Sequence, residues 1–478
     1  MAGLSLVGEG MERIDEVLNK YLMKNECHDI TDSMCSGMKD VFGNFYKGFL
    51  SYCEREIKNK IMKFQFKYSI KVKEEIIVPS ILKSVIEGIS DLAARTLIVE
   101  LNYLKSNNLL SGNDSKERYD FFNEKLLNQE YIKEIFSKYP VLLILIDEKI
   151  EAVIKLLEEI LEALGQDRKE IESEFKVDAS ILTSINISSG DSHNGGRKVT
   201  ILQFGDKYVV YKPHGLTPEK LFNKVIQYVN EKSVFKYELK KLQCIDCITY
   251  GWQEFGVYGQ AENKEDIDKF YYRMGAFLSV FYMFSCSDLH NENVLACKDT
   301  PAIFDLETLV NIFQQSLGGE TILQQINSEI CSSVLGTMLL PINIVNGCFD
   351  YDLSGMSGGD ERASKKWFYF NLENIGTDNI AFEKKPCKSP KAKNSLMFEG
   401  KAVSPKLNYS NIKDGFKECY IILKDNKEDI LNIIFKNKIV IRHVLRPTAV
   451  YARFLEASTY PKYLVSMKSR RDLFSSYI

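Results

Sequence analysis

Two polar residues five positions apart, Asp288 and Asn293, lie in the segment SDLHNENV that starts at Ser287. In the catalytic loops of kinases, an aspartate that faces the attacking hydroxyl is followed at this distance by an asparagine whose side-chain oxygen reaches a metal on the phosphates. The segment also fits a plain polar loop after a buried helix. The spacing favours phosphoryl transfer, and further motifs are needed to decide between the two.

A pair of acidic residues follows in the segment AIFDLET (302–308), where Asp305 ends an apolar run twelve residues after Asn293. Mg²⁺ is usually held by one or two carboxylates together with phosphate oxygens and water. Glu307 points to the same side as Asp305 in an extended chain, because side chains alternate along a strand. The two motifs together predict a magnesium–phosphate site, with Glu307 as a second ligand of the metal or of water.

Upstream, the β-rich run YVVYKP (208–213) carries Lys212 at the end of an apolar strand, the setting of a lysine that pairs with nucleotide phosphates. The preceding segment SGDSHNGGR (189–197) has glycines that let backbone N–H groups approach a phosphate, although it is neither a Walker A motif nor a GxGxxG loop. Asp191 and His193 are unusual in such a loop. We expect them to serve chemistry beyond phosphate binding, because histidine moves protons near neutral pH.

The order of the predicted elements indicates an α+β fold of the bilobal, lipid-kinase-like type with an added helical region. Residues 1–180 are predicted to be mainly helical, residues 181–260 to form a kinase-like small lobe, and residues 261–478 a large lobe that is incomplete at its C-terminal end. One apolar stripe in the first region is expected to lie in a core. Its members are Ile150, Val153, Ile154, Leu157, Ile160 and Leu161.

Local patterns place the individual elements. Helices are predicted at 11–24, 75–107, 141–165, 217–230, 264–285 and 412–435. Strands are predicted at 198–204, at 207–212 and between 236 and 258, and loops at 353–360 and 384–394. The first two strands form a hairpin around Gly205-Asp206.

Composition and charge exclude several classes of function. Hydrophobic residues make up 45% of the chain and the formal net charge is −3, which gives no electrostatic footprint for nucleic acid. The chain starts without the pattern of a signal peptide, and no apolar run is long enough to cross a bilayer. The eleven scattered cysteines are typical of free thiols in a cytoplasmic protein. Cys244 and Cys247 form a lone CxxC, which is weak evidence for zinc because no second pair lies nearby.

A series of motifs occurs in an order that resembles the dehydration domain of class II lanthipeptide synthetases, the LanM family. These motifs are GDSH (190–193), VVYKP (209–213), YGWQE (250–254), SDLHNEN (287–293), FDLET (304–308), SVLGTMLLP (333–341), DLSG (352–355), RHVLRPT (442–448), LEAS (455–458) and PKY (461–463). The resemblance runs from about residue 185 to the end. Each motif alone is modest, whereas their common order is highly specific.

This resemblance implies an enzyme, similar in fold to lipid kinases, that transfers the γ-phosphoryl group of ATP to serine or threonine of a leader-bearing precursor peptide. It implies that Lys212 binds the ATP phosphates, that Asp288 orients or deprotonates the substrate hydroxyl, and that His290 supports the phosphate or the loop. The residues implied around Mg²⁺ are Asn293, Asp305 and Glu307.

The same site in the family then eliminates phosphate to give dehydroalanine or dehydrobutyrine. The residues that match positions used mainly in elimination are Asp191, His193, Arg442 and Thr448. An arginine suits a phosphate leaving group, because its planar fork binds the oxygens bidentately.

Two features depart from the family. Full-length members end in a zinc-dependent cyclase, and this sequence carries no Cys-His-Gly zinc signature, so we expect no cyclisation and a truncated chain. A separate cyclase or a C-terminal partner chain is expected to supply the missing part. Gly336 stands where the family often has arginine, which concerns contacts of the activation region rather than the chemistry.

Two other interpretations stay open at this point. A catalytically inactive or split-enzyme relative would act as a scaffold that binds a peptide or a partner. An unrelated kinase-like phosphotransferase would act on a small molecule or lipid, but it would have no need of Arg442 and Thr448. The dehydratase remains the first hypothesis.

Overall fold

Helices and strands both contribute to this chain, so the predicted α+β class is confirmed. The computed structural model describes residues 10–22, 29–187, 196–232, 235–311, 321–341, 352–356, 363–388, 393–440 and 448–475. The chain divides into two compact units. The first consists of residues 1–213, 370–383 and 445–478, and the second of residues 214–369 and 384–444. The predicted boundaries at residues 180 and 260 stay predictions.

The elements of the described residues are as follows. The helices are α1 (Gly10–Leu22), α2 (Asp29–Gly37), α3 (Gly43–Tyr68), α4 (Glu74–Ser106), α5 (Ser115–Lys125), α6 (Gln129–Lys138), α7 (Pro140–Phe175), α8 (Thr217–Lys232), α9 (Lys264–Met283), α10 (Ile322–Cys331), α11 (Tyr409–Asp425), α12 (Lys427–Lys436), α13 (Thr448–Ala457) and α14 (Met467–Ser475). The strands are β1 (Lys71–Val72), β2 (Ile181–Leu182), β3 (Ser184–Ile187), β4 (Thr200–Phe204), β5 (Lys207–Lys212), β6 (Cys244–Asp246), β7 (Gly251–Glu254), β8 (Val294–Cys297), β9 (Thr300–Ile303), β10 (Ala363–Glu373), β11 (Ala381–Lys388), β12 (Met397–Phe398) and β13 (Lys401–Ala402).

Most predicted elements are confirmed within a few residues, and three need correction. The helix predicted at 141–165 continues to Phe175, because α7 spans Pro140–Phe175. Residues 357–360 of the predicted loop 353–360 lie outside the described residues. The predicted helix 412–435 is two helices, α11 and α12, separated at Asn426, whose side chain bonds the carbonyl of Ile422 at 2.9 Å. The predicted loop 384–394 is wrong in its first half, because residues 384–388 belong to strand β11. Its lysines and Pro386 conceal the strand pattern, since proline and lysine are depleted in strands.

The first unit has a helical core built from α3, α4 and α7. All six side chains of the predicted apolar stripe on α7 are buried, which confirms that prediction. The hydroxyl of Ser80 on α4 donates to the carbonyl of Ile185 on β3 at 2.7 Å, so the helices also hold the first strands.

Strands β3, β4 and β5 form an antiparallel meander in the first unit. The register pairs Ser184 with Gln203 and Thr200 with Tyr211. Gly205 adopts a φ of +60° at the predicted turn, a conformation that favours glycine. The hairpin places Lys212 at the end of β5, where its side chain is buried.

The turn between β10 and β11 is fixed within the first unit by the buried residue Asp378. Its carboxylate accepts from Arg118 Nε at 2.5 Å and from Ser115, and it pairs with Lys105 Nζ at 3.2 Å. Burial alone would raise the pKa of Asp378, but these donors outweigh it and lower the pKa. The tip of the β10–β11 hairpin is therefore held by α4 and α5.

Helix α9 is the centre of the second unit and packs against α8 and α11. The Phe222 ring of α8 stacks on Phe281 of α9 with centroids 5.4 Å apart. Gly275 and Gly415 lie where α9 and α11 cross, and neither position has room for a side chain. A Cβ added at Gly275 would lie 1.9 Å from the carbonyl oxygen of Ile412, and one added at Gly415 would lie 1.9 Å from that of Tyr272. The backbones of the two helices meet directly at this point.

The turn between β8 and β9 is fixed to α9 by Arg273. Arg273 Nη1 lies 2.9 Å from Asp299 Oδ2 and donates to Thr300 Oγ1 at 3.0 Å, while Lys240 Nζ lies 3.1 Å from the other carboxylate oxygen. Burial would raise the pKa of Asp299, but the hydrogen bonds from Arg273, Thr300 and Lys240 lower it to about 2.

Replacing Asp299 by asparagine is expected to lower the free energy of unfolding by about 1–2 kcal/mol at neutral pH, after allowing for solvent screening. The carboxyl pKa of Asp299 is lower in the folded state than its ordinary value of 3.8, which we take for the unfolded state. The charged carboxylate therefore stabilises the fold above pH 3.8, and this stabilisation is lost as the pH falls towards 2. Urea denaturation at pH 7 and pH 3 measures the difference, with the exposed Asp414→Asn as the matched control. An Asp299→Asn difference that stays constant down to pH 3 would contradict the role of the charge.

Two sequence expectations concern membranes and metals. No helix among the described residues is long and apolar enough to cross a membrane. In the part of the chain that the structure describes, no group of three or more His, Cys, Asp and Glu side chains is placed to hold a metal ion. The CxxC pair of Cys244 and Cys247 thus belongs to no such group.

Candidate active site

The loop 287–293 connects α9 to β8 in the second unit, as predicted from the SDLHNENV segment. Its centre is Leu289, which is fully buried and whose N–H donates to the carbonyl of Thr337 at 3.1 Å. Asp288 and His290, on either side of Leu289, are half-buried. The apolar anchor thus fixes the loop while its polar neighbours keep access to solvent.

Asp288, predicted to be catalytic, and Asp305, predicted to be a metal ligand, both have a left-handed backbone conformation. Asp288 has a φ of +66° and Asp305 a φ of +55°. A left-handed backbone conformation is unfavourable for residues other than glycine, and among these aspartate and asparagine tolerate it best. Such conformations persist where the surrounding structure imposes them, and they cluster at functional sites.

The side chain of Asn293 has a defined orientation. Its Nδ2 donates to the backbone carbonyl of Asp288 at 2.9 Å, and its residue is 9% exposed. The amide nitrogen is assigned from this hydrogen bond, because only nitrogen can donate to a carbonyl. The Oδ1 atom of Asn293 is therefore available as an oxygen ligand.

The segment that carries Asp305 is bonded directly to the loop. The Phe304 N–H donates to the carbonyl of Asn293 at 2.9 Å, and Thr308 Oγ1 donates to the carbonyl of Ser287 at 2.5 Å. Asn311 Nδ2 adds a bond to Ser287 Oγ at 3.1 Å. Both ends of the loop are thus linked to residues on either side of Asp305.

The buried thiol of Cys286 lies near both aspartates. Burial raises the pKa of this thiol, and the negative charges of Asp288 and Asp305 raise it further. Such electrostatic effects act over distances longer than a contact, so they place both carboxylates in the neighbourhood of the thiol, and the hydrogen bonds from Phe304 and Thr308 link the two segments directly. The structure therefore brings the two motifs of the sequence together in one place.

Glu307 has a partner that the sequence did not predict. The Nε2 atom of His214 lies 3.3 Å from Glu307 Oε1, and its Nδ1 lies 3.0 Å from the carbonyl oxygen of Gly215. When Nδ1 of His214 carries a proton, it donates to the carbonyl of Gly215. A second proton on Nε2 would make the ring positive, and His214 would then form an ion pair with Glu307. His214 was expected to be a structural part of a turn, and its contact adds a histidine to the site.

His290 takes part in the internal structure of the loop. Its Nδ1 accepts from the N–H of Glu292 at 3.3 Å, and its backbone forms an isolated bridge with Ser354. A ring nitrogen that accepts leaves the proton on Nε2 in the neutral ring. The predicted role of His290 in supporting the phosphate or the loop stays a prediction.

An apolar platform flanks the aspartates. Leu295 on β8 and Phe304 after β9 are half-buried, and an added Cβ at Gly256 would lie 2.7 Å from Phe304 Cζ and 3.0 Å from Leu295 Cδ2. Sequence reasoning did not single out these residues. Val294, Leu295 and Ala296 are all apolar, so the sequence shows no alternation that could have revealed which of them faces outwards.

A cavity of about 330 Å³ lies in the second unit against the hairpin of β8 and β9. It is bordered by Glu219 and Phe222 of α8, by Gln253 of β7, and by Ile303 and Leu306 on either side of Phe304 and Asp305. Neither Leu295 nor Phe304 borders it. Gly256, which packs against both platform side chains, borders the cavity as well, so the cavity adjoins the platform.

The segments DLSG (352–355) and SVLGTMLLP (333–341) both contact the loop 287–293. The N–H of Asn291 donates to the carbonyl of Leu353 at 2.8 Å, and an added Cβ at Gly355 would lie 2.7 Å from the carbonyl oxygen of Leu289. At Gly336 an added Cβ would lie 2.2 Å from the carbonyl oxygen of Cys331, so this backbone has no room for the arginine common in the family.

The remaining predicted site residues lie elsewhere or outside the described part of the chain. Lys212 belongs to the first unit, as the last residue of β5. Thr448 is the first residue of α13, also in the first unit, and its side chain is outside the description. Asp191, His193 and Arg442 lie outside the described residues.

Comparison with known proteins gives two matches. The family model described as "Domain of unknown function (DUF4135)" matches residues 139–477. The "Lacticin 481/lactococcin biosynthesis protein LcnDR2" of Lactococcus lactis subsp. lactis is 29% identical over 438 residues, which are 88% of this chain and 46% of that protein. The chain thus spans about half the length of this curated relative.

The match to this family model and the similarity to a lacticin 481 biosynthesis protein support a LanM-like protein, so the resemblance to class II lanthipeptide synthetases is confirmed. Because the family model covers well over half of the sequence, the chain belongs to the DUF4135 family.

Proposed function

We propose that this protein modifies a lanthipeptide precursor as an ATP-dependent dehydratase of kinase-like, bilobal fold. The observation that carries the proposal is the loop 287–293, which holds Asp288 and the hydrogen-bonded amide of Asn293 and is bonded to the residues on either side of Asp305. The lantibiotic biosynthesis role named for the relative supports a precursor peptide as the substrate.

In the first step, a serine or threonine hydroxyl attacks the γ-phosphorus of ATP. The bond between that phosphorus and the bridging oxygen breaks, ADP leaves, and the hydroxyl proton moves to Asp288. A positioned base of this kind contributes about 10²–10⁴-fold to the rate. The half-buried position of Asp288 leaves its carboxylate accessible to a peptide hydroxyl.

The donor set near the loop fits Mg²⁺. Asn293 offers an amide oxygen, and Asp305 and Glu307 offer carboxylates, which are the hard oxygen ligands that Mg²⁺ prefers. Bound MgATP supplies the phosphoryl group and neutralises charge on the transferring phosphate. Lys212 is proposed to bind the ATP phosphates, and the His214–Glu307 contact positions the Glu307 carboxylate.

In the second step, the α-proton of the phosphorylated residue is removed while its Cβ–O bond breaks. A Cα=Cβ double bond forms and inorganic phosphate leaves, which gives dehydroalanine or dehydrobutyrine. We assign Arg442 to the leaving phosphate and Thr448, Asp191 and His193 to the same step, on the strength of the matching motifs. A leader-bearing precursor peptide is the partner that this function requires.

Replacing Arg442 by alanine tests the two-step function. Elimination is expected to slow by about 10²-fold or more while phosphorylation continues, because the leaving phosphate loses its bidentate cation. With ATP labelled on the γ-phosphate, the variant should accumulate labelled precursor peptide, whereas the parent protein releases labelled inorganic phosphate.

Lys438→Ala, which removes an exposed positive charge four positions before Arg442 in the sequence, is the control and should behave like the parent. Thr448→Val gives an independent test of the same step, and circular dichroism verifies that each variant folds. Absence of label on the peptide with every folded variant would favour a scaffold without catalysis.

A further inference from the structure

The side chain of Arg95 on α4 connects this helix with the end of α13 and with the β10–β11 hairpin, all within the first unit. The side chain is 13% exposed, and its guanidinium donates to Glu456 Oε1 at 2.7 Å and to Thr459 Oγ1 at 3.2 Å. It also lies over the rings of Phe382 and Tyr460, at 4.5 and 5.0 Å from their centres. Arginine suits this position, because its planar group donates along the edge while its face stacks on aromatic rings.

The segment that follows α13 is held at several further points. Ser458 and Thr459, directly after the helix, are buried. Arg470 Nη1 on α14 donates to the carbonyl of Ser458 at 2.9 Å, and the N–H of Val141 on α7 donates to the carbonyl of Leu464 at 3.1 Å. Together with the contacts of Arg95, these bonds form what we call the α13 anchor.

Two motifs of the sequence that have no part in the proposed chemistry belong to the α13 anchor. The segment LEAS (455–458) supplies Glu456, the ion-pair partner of Arg95. The segment PKY (461–463) forms a single 3₁₀ turn that begins directly after Tyr460. Both motifs are therefore explained by the way in which the end of α13 is held.

Helix α13 joins its anchor to Thr448. The helix spans Thr448–Ala457, so Thr448 begins it and Glu456 lies in its last turn. At 1.5 Å per residue, about 12 Å of helix axis separates the two positions. A short helix moves as one body, so a change of tilt at the anchored end displaces the other end. A displacement of about 1 Å in a catalytic group can cost about 10²-fold in rate.

We propose that Arg95 is a positioning residue for the elimination step, because it fixes the orientation of α13 and thereby the place of Thr448. This inference rests on the proposed function, which assigns Thr448 to that step. Arg95 acts through Glu456 and Thr459 rather than on the substrate. The residues assigned to phosphorylation do not belong to α13, so loss of Arg95 should affect elimination selectively.

Replacing Arg95 by methionine tests the inference, because methionine keeps an apolar stem and removes the cation. With the leader-bearing precursor peptide and ATP labelled on the γ-phosphate, elimination should slow about tenfold or more while phosphorylation stays within about twofold of the parent rate. Labelled phosphopeptide should therefore accumulate. Arg95→Lys keeps the charge and should recover part of the elimination rate. A general loss of stability would slow both steps together, so the ratio of peptide-bound label to released phosphate separates positioning from a structural role.

Arg168→Met is the matched control, because it removes an arginine on α7 of the same unit that pairs with Glu172 at 2.9 Å. It should keep the parent ratio of bound label to released phosphate. Glu456→Gln should shift the ratio in the same direction as Arg95→Met, and the double variant should be little worse than Arg95→Met, since both changes act through one contact. A parent ratio in Arg95→Met, or equal slowing of both steps, would overturn the proposal.

Hydrogen exchange separates this inference from the proposed function. Amides of residues 448–457 should exchange about tenfold faster in Arg95→Met than in the parent, whereas those of α9 in the second unit should not change. Faster exchange in a protein that never modifies the precursor would remove the proposed function, and the positioning role with it, but leave the α13 anchor standing. Unchanged exchange and an unchanged ratio, in a protein whose parent dehydrates the precursor, would remove the positioning role and leave the function.

Discussion

Replacing Asp288 by asparagine is expected to lower the rate of precursor dehydration by about 10²–10⁴-fold, because the peptide hydroxyl loses its base. The stability of the fold should hardly change. Asparagine tolerates the φ of +66° at this position as well as aspartate does, and the backbone bonds of Leu289 and Asn293 remain. Dehydration is measured by mass spectrometry of the precursor peptide at several times.

The neighbouring carboxylate Glu292 provides the control for this variant. It is exposed and lies in the same loop, so Glu292→Gln removes an equal charge at a position with no proposed part in the chemistry. Its rate should stay within about twofold of the parent. Full activity of Asp288→Asn would show that the base is another residue.

Replacing Gly275 or Gly415 by alanine is expected to lower the free energy of unfolding by about 3 kcal/mol or more. A Cβ at Gly275 would lie 1.9 Å from the Ile412 carbonyl oxygen, and one at Gly415 would lie 1.9 Å from that of Tyr272. Backbone atoms cannot move aside as a flexible side chain can, so α9 and α11 must separate. Urea denaturation followed by circular dichroism measures the loss.

Gly37→Ala is the control for the helix crossing, because a Cβ at Gly37 meets no atom within 4 Å. It should change the free energy of unfolding by less than about 0.5 kcal/mol. Since α9 leads directly into the loop 287–293, the destabilised variants should also lose dehydration activity. Unchanged stability in both glycine variants would show that the two helices are farther apart than described.

The local parts of the site were accessible to sequence reasoning. The five-residue spacing of Asp288 and Asn293, and the apolar run before Asp305, reflect a loop and a strand that short stretches of chain encode by themselves. The hairpin at Gly205 was predictable for the same reason, because turn residues flanked by β-branched and aromatic residues specify it.

Contacts between distant segments were not accessible. His214 and Glu307 are ninety-three positions apart in the sequence, and the residues around each of them do not indicate that they are in contact. The support of Leu289 by Thr337 and of Asn291 by Leu353 likewise depends on how remote segments pack. Strand β11 was missed because its lysines and proline obscure the alternation, while its pairing with β10 supplies the order.

Mass spectrometry of a leader-bearing precursor peptide, after incubation with this protein, ATP and Mg²⁺, tests the proposed dehydratase most directly. We predict peptide species that have lost one water for each modified serine or threonine, with formation only when ATP is present. A peptide of unchanged mass, with protein that circular dichroism shows to be folded, would contradict a catalytic role and favour a scaffold.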